Sequence, residues 1–236
     1  MNGASNGEAI IRCEAVAKSY WRGALEIPVL QGLDLELPRG GYCALMGPSG
    51  SGKTTLLNLI AGIDRPTGGA IRVCGYDLHD LDDDDLAAWR AVHVGFIFQN
   101  YNLVPVLNAF ENVELPLLLS SMGRRERRER VRESLALVNL TDFEESYPRQ
   151  LSGGQEQRVA IARAIAGDPD LIVADEPTGA LDSKNAEEVL ALMARLNGEL
   201  GKTILMVTHD PKAAHHARTQ VHLEKGVLDR TVEINS

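Results

Sequence analysis

The stretch GPSGSGKTT, from Gly47 to Thr55, sets three glycines and a lysine at the opening of a segment with helical character, KTTLLNLIAGI. From Gly47 to Thr54 it matches G-x-x-x-x-G-K-[ST], a pattern whose glycines let the backbone curl until successive N–H groups point at a polyphosphate. The start of the helix adds about half a positive charge there. Lys53 is the residue expected to reach the β- and γ-phosphates, and the Thr54 hydroxyl to bind Mg²⁺. Gly47, Pro48, Ser49, Gly50, Ser51, Gly52, Lys53, Thr54 and Thr55 therefore form a candidate nucleotide cradle. A second chemical pair, Asp175 and Glu176, ends the apolar run LIVADE. One carboxylate at such a strand end can hold Mg²⁺ while its neighbour polarises an attacking water. Read alone, the pair also suits structural ion pairing, since two acids there are costly to desolvate.

These residues need elements to hold them, and the chain alternates strands with helices in the manner of a largely parallel sheet covered on both faces. LDLELP alternates as a half-exposed strand does, while YCALMG, LIVADE and TILMVTH are short apolar runs with polar residues at their C-terminal ends. That end is where open α/β sheets build sites. SKNAEEVLALMARLNGEL has helical spacing, with Gly201 behind it as a C-cap. The middle third reads as a helical insertion. Within it, GRRERRERVRE mixes both signs and suits a solvated helix face, and LDDDDLAAWR sets aspartates against the positive end of a helix dipole. The EF-hand spacing that calcium would need is missing there.

Composition narrows the function further. The 236 residues are 44% hydrophobic, enough for one sizeable core. With 33 acidic and 24 basic residues the net charge is −9, so nucleic acid held by counterion release is not an expected partner. Cys13, Cys43 and Cys74 form no C-x-x-C pair, and their spacing indicates neither a zinc site nor a disulfide framework. Cys43, in an apolar run, reads as a core residue. Residues 1–9 are expected to be a loose polar tail without the pattern of a signal peptide, and residues 10–236 a single domain. No apolar run approaches the ~18 residues of a membrane span, so crossing a bilayer would fall to another chain.

A second phosphate-binding helix end lies in LSGGQEQRVAIARAI, where Ser152 is a candidate N-cap and Gly153 and Gly154 leave helical N–H groups open. One domain needs only one cradle, so the second makes sense if it serves the nucleotide of another subunit. GPSGSGKTT, Gln99 in FIFQN, LSGGQEQR, LIVADEP, GALDSK and His209 in VTHD, in that order, make this chain resemble the ATPase subunit of ABC transporters from about Ile10 to Glu233.

The resemblance implies an α/β fold: a P-loop NTPase core with a mixed sheet, an N-terminal antiparallel β subdomain and a helical insertion at about 100–168. It implies ATP and Mg²⁺ as ligands, with Tyr20 stacked on adenine and Gln99 touching Mg²⁺ and the attacking water. Glu176 would be the general base, His209 would hold the γ-phosphate and the water, and Asp182 would align the partner's site. On their own, Tyr20 reads equally as a core aromatic and His209 as a structural histidine. Ser152, Gly153, Gly154 and Gln155 would bind the γ-phosphate of ATP held by a second copy in a head-to-tail pair. Glu156, where relatives often carry glutamine, would face away from phosphate or be paired. Integral membrane permease subunits would be the other partner, with this chain peripheral on the cytoplasmic face of the inner membrane. FQNYNLVPVLNAFENVELPLLL and THDP resemble the lipoprotein-releasing, macrolide-exporting and cell-division branch; an amino-acid importer ATPase is the alternative, and a soluble ABC ATPase a more distant one.

Overall fold

The computed structural model describes residues 9–233. Residues 1–8 of the expected tail lie outside that range, and Ala9 already opens the first strand. Strands β1 (Ala9–Arg22) and β2 (Leu25–Pro38) pair antiparallel and lead into the buried strand β3 (Tyr42–Met46) and helix α1 (Lys53–Ile60). A hairpin of β4 (Gly68–Val73) and β5 (Tyr76–Asp77) is followed by α2 (Asp83–His93) and β6 (Val94–Ile97). The insertion then contributes α3 (Ala109–Glu114), a 3-10 turn at Leu115–Leu119, α4 (Arg124–Leu137) and α5 (Gly153–Ile165), with no strand among the described residues until β7 (Leu171–Asp175). Helix α6 (Ser183–Gly198), β8 (Thr203–Val207), the short α7 (Pro211–Ala214) and the hairpin β9 (Thr219–Glu224) and β10 (Val227–Glu233) complete the order.

Two sheets result. One is four-stranded and antiparallel, ordered β2-β1-β4-β5; the other is six-stranded and mixed, ordered β10-β9-β3-β8-β7-β6. In the second, β9, β3, β8, β7 and β6 run parallel and only β10 pairs antiparallel. This is the expected architecture: mixed sheet, N-terminal antiparallel sheet and helical insertion.

The central strands are buried on both faces, which is why their sequences read as unbroken apolar runs. Their side chains still alternate. Tyr42, Ala44, Met46, Ile172, Ala174, Ile204 and Met206 join one core, shared with α3, α4, α5 and α6. Cys43, Leu45, Leu171, Val173, Leu205 and Val207 join the other, shared with α1, α2 and the antiparallel sheet. The period of two along each strand thus divides one sheet between two cores. Leu56, Leu57 and Ile60 lie fully inside the second core, and at roughly 1.5–3 kcal/mol for each buried side chain they hold α1 against β7 and β8.

The helix ends follow their sequences. Asp82 caps α2, accepting from Asp85 N at 2.9 Å, with Asp83, Asp84 and Asp85 in the first turn. In α4, Arg125 pairs with Glu129 across one exposed turn, as a solvated face requires. Helix α6 closes at Glu199; Gly201, at φ 66°, stands two residues beyond, where its N–H reaches Asn197 O.

Candidate nucleotide site

The site sits at the C-terminal ends of four neighbouring parallel strands. β3 runs into Gly47, β7 ends on Asp175, Glu176 follows at once, and Gln99 and His209 each stand two residues beyond β6 and β8. Strand order therefore brings together residues 47 to 209, far apart in sequence. They line a cavity of about 620 Å³ that includes Ser49, Gly50, Gly52, Lys53, Thr54, Thr55, Gln99, Asp175, Glu176 and His209.

The cradle is shaped by backbone that only glycine adopts freely. Gly47, Gly50 and Gly52 have φ of 149°, 77° and 103°. Gly52 is the N-cap of α1 and supplies no capping side chain, so the first N–H groups of that helix remain open to a ligand. A Cβ on Gly47 would run into Leu223 O, tying the loop's shape to β9. Lys53, 8% exposed, folds back so that Nζ donates to Gly47 O at 2.8 Å and Pro48 O at 2.9 Å. An ammonium has three N–H bonds, so one remains for a phosphate oxygen. Gly47, Pro48 and Ser51 support the loop from behind rather than line the cavity, and the buried Ser51 Oγ has no partner there.

Opposite the cradle, Thr54 Oγ1 lies 3.4 Å from Asp175 Oδ1. Burial pushes the Asp175 carboxyl above its ordinary value; Glu176 adds to this, while Thr54 and Lys53 oppose it. A carboxylate desolvated in this way is poised for a cation. Glu176 stands at φ 48°, a left-handed conformation uncommon outside glycine, and its Oε1 meets His209 Nδ1 at 2.7 Å. With the carboxylate accepting, Nδ1 carries the hydrogen and Nε2 is free. Gln99 packs on Gly179, where a Cβ would come 2.9 Å from its Nε2.

Other expected residues are not among those that line this cavity. Tyr20, at the end of β1, is 43% exposed; its hydroxyl donates to Asp64 at 2.8 Å, and the Lys18 ammonium lies 4.8 Å from the ring centre. Ser152 caps α5 in a reciprocal box, accepting from Gln155 N at 3.3 Å while Gln155 Oε1 accepts from Ser152 N at 2.8 Å. Gly154 has a packing reason that the sequence did not reveal: a Cβ would collide with Asn185, the side chain that also bonds Asp182, the N-cap of α6. Neither Ser152 to Gln155 nor Asp182 lines the cavity. Glu156 has no ion-pair partner among the described residues, and burial raises its carboxyl; of the two expectations, pairing or facing away from phosphate, the structure shows no pairing and Glu156 does not line the cavity.

Two residues of α5 escaped sequence reasoning. Gln157, fully buried, donates from Nε2 to Pro177 O at 2.6 Å and reaches Phe98 O at 3.4 Å, bracing α5 against the loops that carry Glu176 and Gln99. Arg163 donates to Tyr101 O at 2.8 Å and Asn102 O at 2.7 Å, two residues at φ 59° and 50°. That grip sets the Tyr101 hydroxyl over Gly153, where a Cβ would meet it at 2.9 Å. Their signal was an apolar helix interrupted by long polar side chains on its inner face.

A family model described as ABC transporter matches residues 30–179. The chain belongs to the ABC transporter family. It is an ATP-binding, ATP-hydrolysing chain of that family. It is 44% identical over 225 residues to an uncharacterized ABC transporter ATP-binding protein of Methanocaldococcus jannaschii, covering 94% of this chain and 96% of that one. It is 47% identical over 222 residues to the macrolide export ATP-binding/permease protein MacB of Syntrophobacter fumaroxidans, covering 93% of this chain. The ABC ATPase spans only 31% of that relative. A solved dimer of the Methanocaldococcus protein, in a post-hydrolysis state with ADP and phosphate, matches at TM-score 0.88 and 43% identity, covering 96% of this chain and 99% of that one.

Proposed function

We propose that this ABC ATPase hydrolyses Mg²⁺-ATP at two shared sites in a head-to-tail pair of copies, at the cytoplasmic face of a membrane, and drives an export-type permease. Residues 10–236 act as one ATPase domain, with the helical part at about 100–168. The observation that carries the reading is the separation of two phosphate-binding helix ends. Lys53 and the open end of α1 face Asp175, Glu176 and His209 across one cavity, whereas Ser152 to Gln155 stand outside it. Each chain therefore offers one cradle and one lid, and the lid finds its phosphate on the partner. The dimeric Methanocaldococcus relative and the permease-fused MacB relatives support this assembly.

The donors present fit the ligands. Thr54 Oγ1, Asp175 Oδ1 and the Gln99 amide are hard oxygen donors of the kind Mg²⁺ accepts. When bound there, Mg²⁺ would neutralise charge on the β- and γ-phosphates. Lys53 and the N–H groups of α1 hold the same phosphates. Glu176 takes the proton as water oxygen bonds the γ-phosphorus, the bond to the β-phosphate oxygen breaks, and ADP and phosphate result. His209 holds the Glu176 carboxylate through Nδ1–H, which leaves Nε2 as an acceptor for a hydrogen of the attacking water; Tyr20 offers the adenine a ring face.

Glu176→Gln tests this directly. It keeps the cradle and removes the base, so turnover should fall by about 10²-fold or more while ATP binding persists. Two uncleaved ATP molecules should then hold the copies together, and gel filtration with ATP should show a dimer. Near-normal turnover would take Glu176 out of the role of base.

A further inference from the structure

Away from the ATP site, Cys74, His93 and Asp170 offer a sulfur, a nitrogen and an oxygen that all lie within 4.8 Å of one another. They come from three separate segments: the turn between β4 and β5, the last residue of α2, and the residue before β7. Asp170 marks the N-terminal end of β7 and Asp175 its C-terminal end, about 16 Å of extended strand away, so the two groups are independent.

The turn itself points to a purpose for Cys74. Val73 pairs with Tyr76, so Cys74 and Gly75 form a two-residue hairpin loop, with φ of 52° and 86°. Two positive φ values define the turn that asparagine-glycine or aspartate-glycine makes best. Cysteine has no local hydrogen bond to offer the turn, so local preference does not account for it, and a residue that breaks the local rule is expected where a side chain is needed for function. Its side chain is half-buried beside His93 and Asp170.

The surroundings are those of a metal ligand set. His93 Nδ1 meets Asp170 Oδ2 at 3.0 Å, and the ring is held by Tyr76 and Trp89 at centroid distances of 5.3 and 6.0 Å. The other Asp170 oxygen accepts from Arg39 at 2.6 Å, as the outer partner of a ligating carboxylate does. We propose that Cys74, His93 and Asp170 bind a thiophilic divalent ion of the Zn²⁺ class, with water in the fourth position, and so staple the β4–β5 hairpin and α2 to the parallel sheet. Thiolate, imidazole and carboxylate suit such an ion and not Mg²⁺ or Ca²⁺. Binding moves the imidazole hydrogen from Nδ1 to Nε2 and releases the thiol proton to solvent. The sequence missed this site because the ligands share no local spacing.

The test uses the full chain stripped of metal and titrated with Co²⁺, then Zn²⁺, without nucleotide. Co²⁺ should give a thiolate charge-transfer band at one ion per chain, and Zn²⁺ should raise the melting temperature. Cys74→Asn is the informative variant, because asparagine suits the turn. It should fold, melt at or above the wild-type temperature without metal, lose the band, bind Zn²⁺ weaker by roughly 10²-fold, and keep its basal Mg²⁺-ATPase rate. His93→Gln should weaken Zn²⁺ binding similarly. No Co²⁺ band in the wild type would overturn the proposal, as would a band of equal strength in Cys74→Asn, which would assign the thiolate to Cys13 or Cys43.

Discussion

Asp64 illustrates how much a single carboxylate can organise. It accepts from Lys18 Nζ at 2.6 Å, from the Tyr20 hydroxyl at 2.8 Å and from Arg65 N at 2.7 Å. Burial works to raise its carboxyl, but the bonds from Lys18, Tyr20 and the Arg65 N–H outweigh it and hold it below the ordinary range. A group with a depressed pKa in the fold contributes stability above its unfolded value of about 4, and that contribution is lost as pH falls through the folded value. Wild-type melting temperature should therefore drop on acidification below about pH 4 more steeply than that of Asp64→Asn. At neutral pH the variant leaves Lys18, nearly buried, without its carboxylate, and should be less stable by roughly 1–3 kcal/mol in denaturant unfolding. Parallel acid profiles for the two proteins would remove Asp64 from this account. The residues proposed to hold phosphate stand out by type and spacing, since a glycine-rich loop and an acidic strand end leave few other uses. Asp64 does not, because it stands in the loop after α1 and its partners Lys18 and Tyr20 come from β1, far away in sequence.

At the scale of elements, α5 links the two halves of the chemistry. Its first turn carries Ser152 and Gly153, and its body carries Gln157 and Arg163, which grip the loops after β6 and β7. Ser152→Arg should abolish hydrolysis while ATP affinity of the isolated monomer stays close to wild type, because in the proposed shared site the lid serves the partner's nucleotide. A loss of affinity as large as that of Lys53→Ala would contradict the shared site. Arg163→Ala leaves the carbonyls of Tyr101 and Asn102 without their donor, and the fold should lose about 1–3 kcal/mol. ATPase activity should fall with it, since the same loop carries Gln99; unchanged activity in a folded variant would separate the loop from the site. The elements themselves were largely legible. Apolar runs gave the central strands, and the caps at Ser152 and the aspartates before α2 gave helix starts. Tight contacts such as Gly154 on Asn185 were not, because a glycine kept for packing and one kept for phosphate look alike in a sequence.

For the molecule as a whole, the question is how closure around ATP reaches a permease. The parallel sheet ends at β6, and beside that edge a groove of about 180 Å³ is lined by Phe96, Phe98, Pro116, Ala164 and Arg163. Arg163 belongs both to this groove and to the grip on Tyr101 and Asn102, three residues or fewer from Gln99. A nucleotide-dependent movement of Gln99 would be passed to the groove wall by a side chain with two fixed partners, with the insertion moving as a rigid body. The next segment, Leu103, Val104, Pro105, Val106 and Leu107, divides its duties. Leu103 packs on the core, whereas Val106 is 76% exposed and has no core role to lose. An exposed apolar residue in the segment that follows the loop gripped by Arg163 suits contact with a short amphipathic helix of a permease. Val106→Glu should leave the fold and the basal ATPase rate of the free chain unchanged within experimental scatter, because a surface substitution at such a site changes stability by about 0.5 kcal/mol or less. In the membrane complex the same charge should weaken assembly or lower transport-coupled ATPase activity. Equal loss in the free chain and the complex would make Val106 part of the fold and move the coupling surface elsewhere, whereas loss confined to the complex would tie the Gln99 loop to the permease.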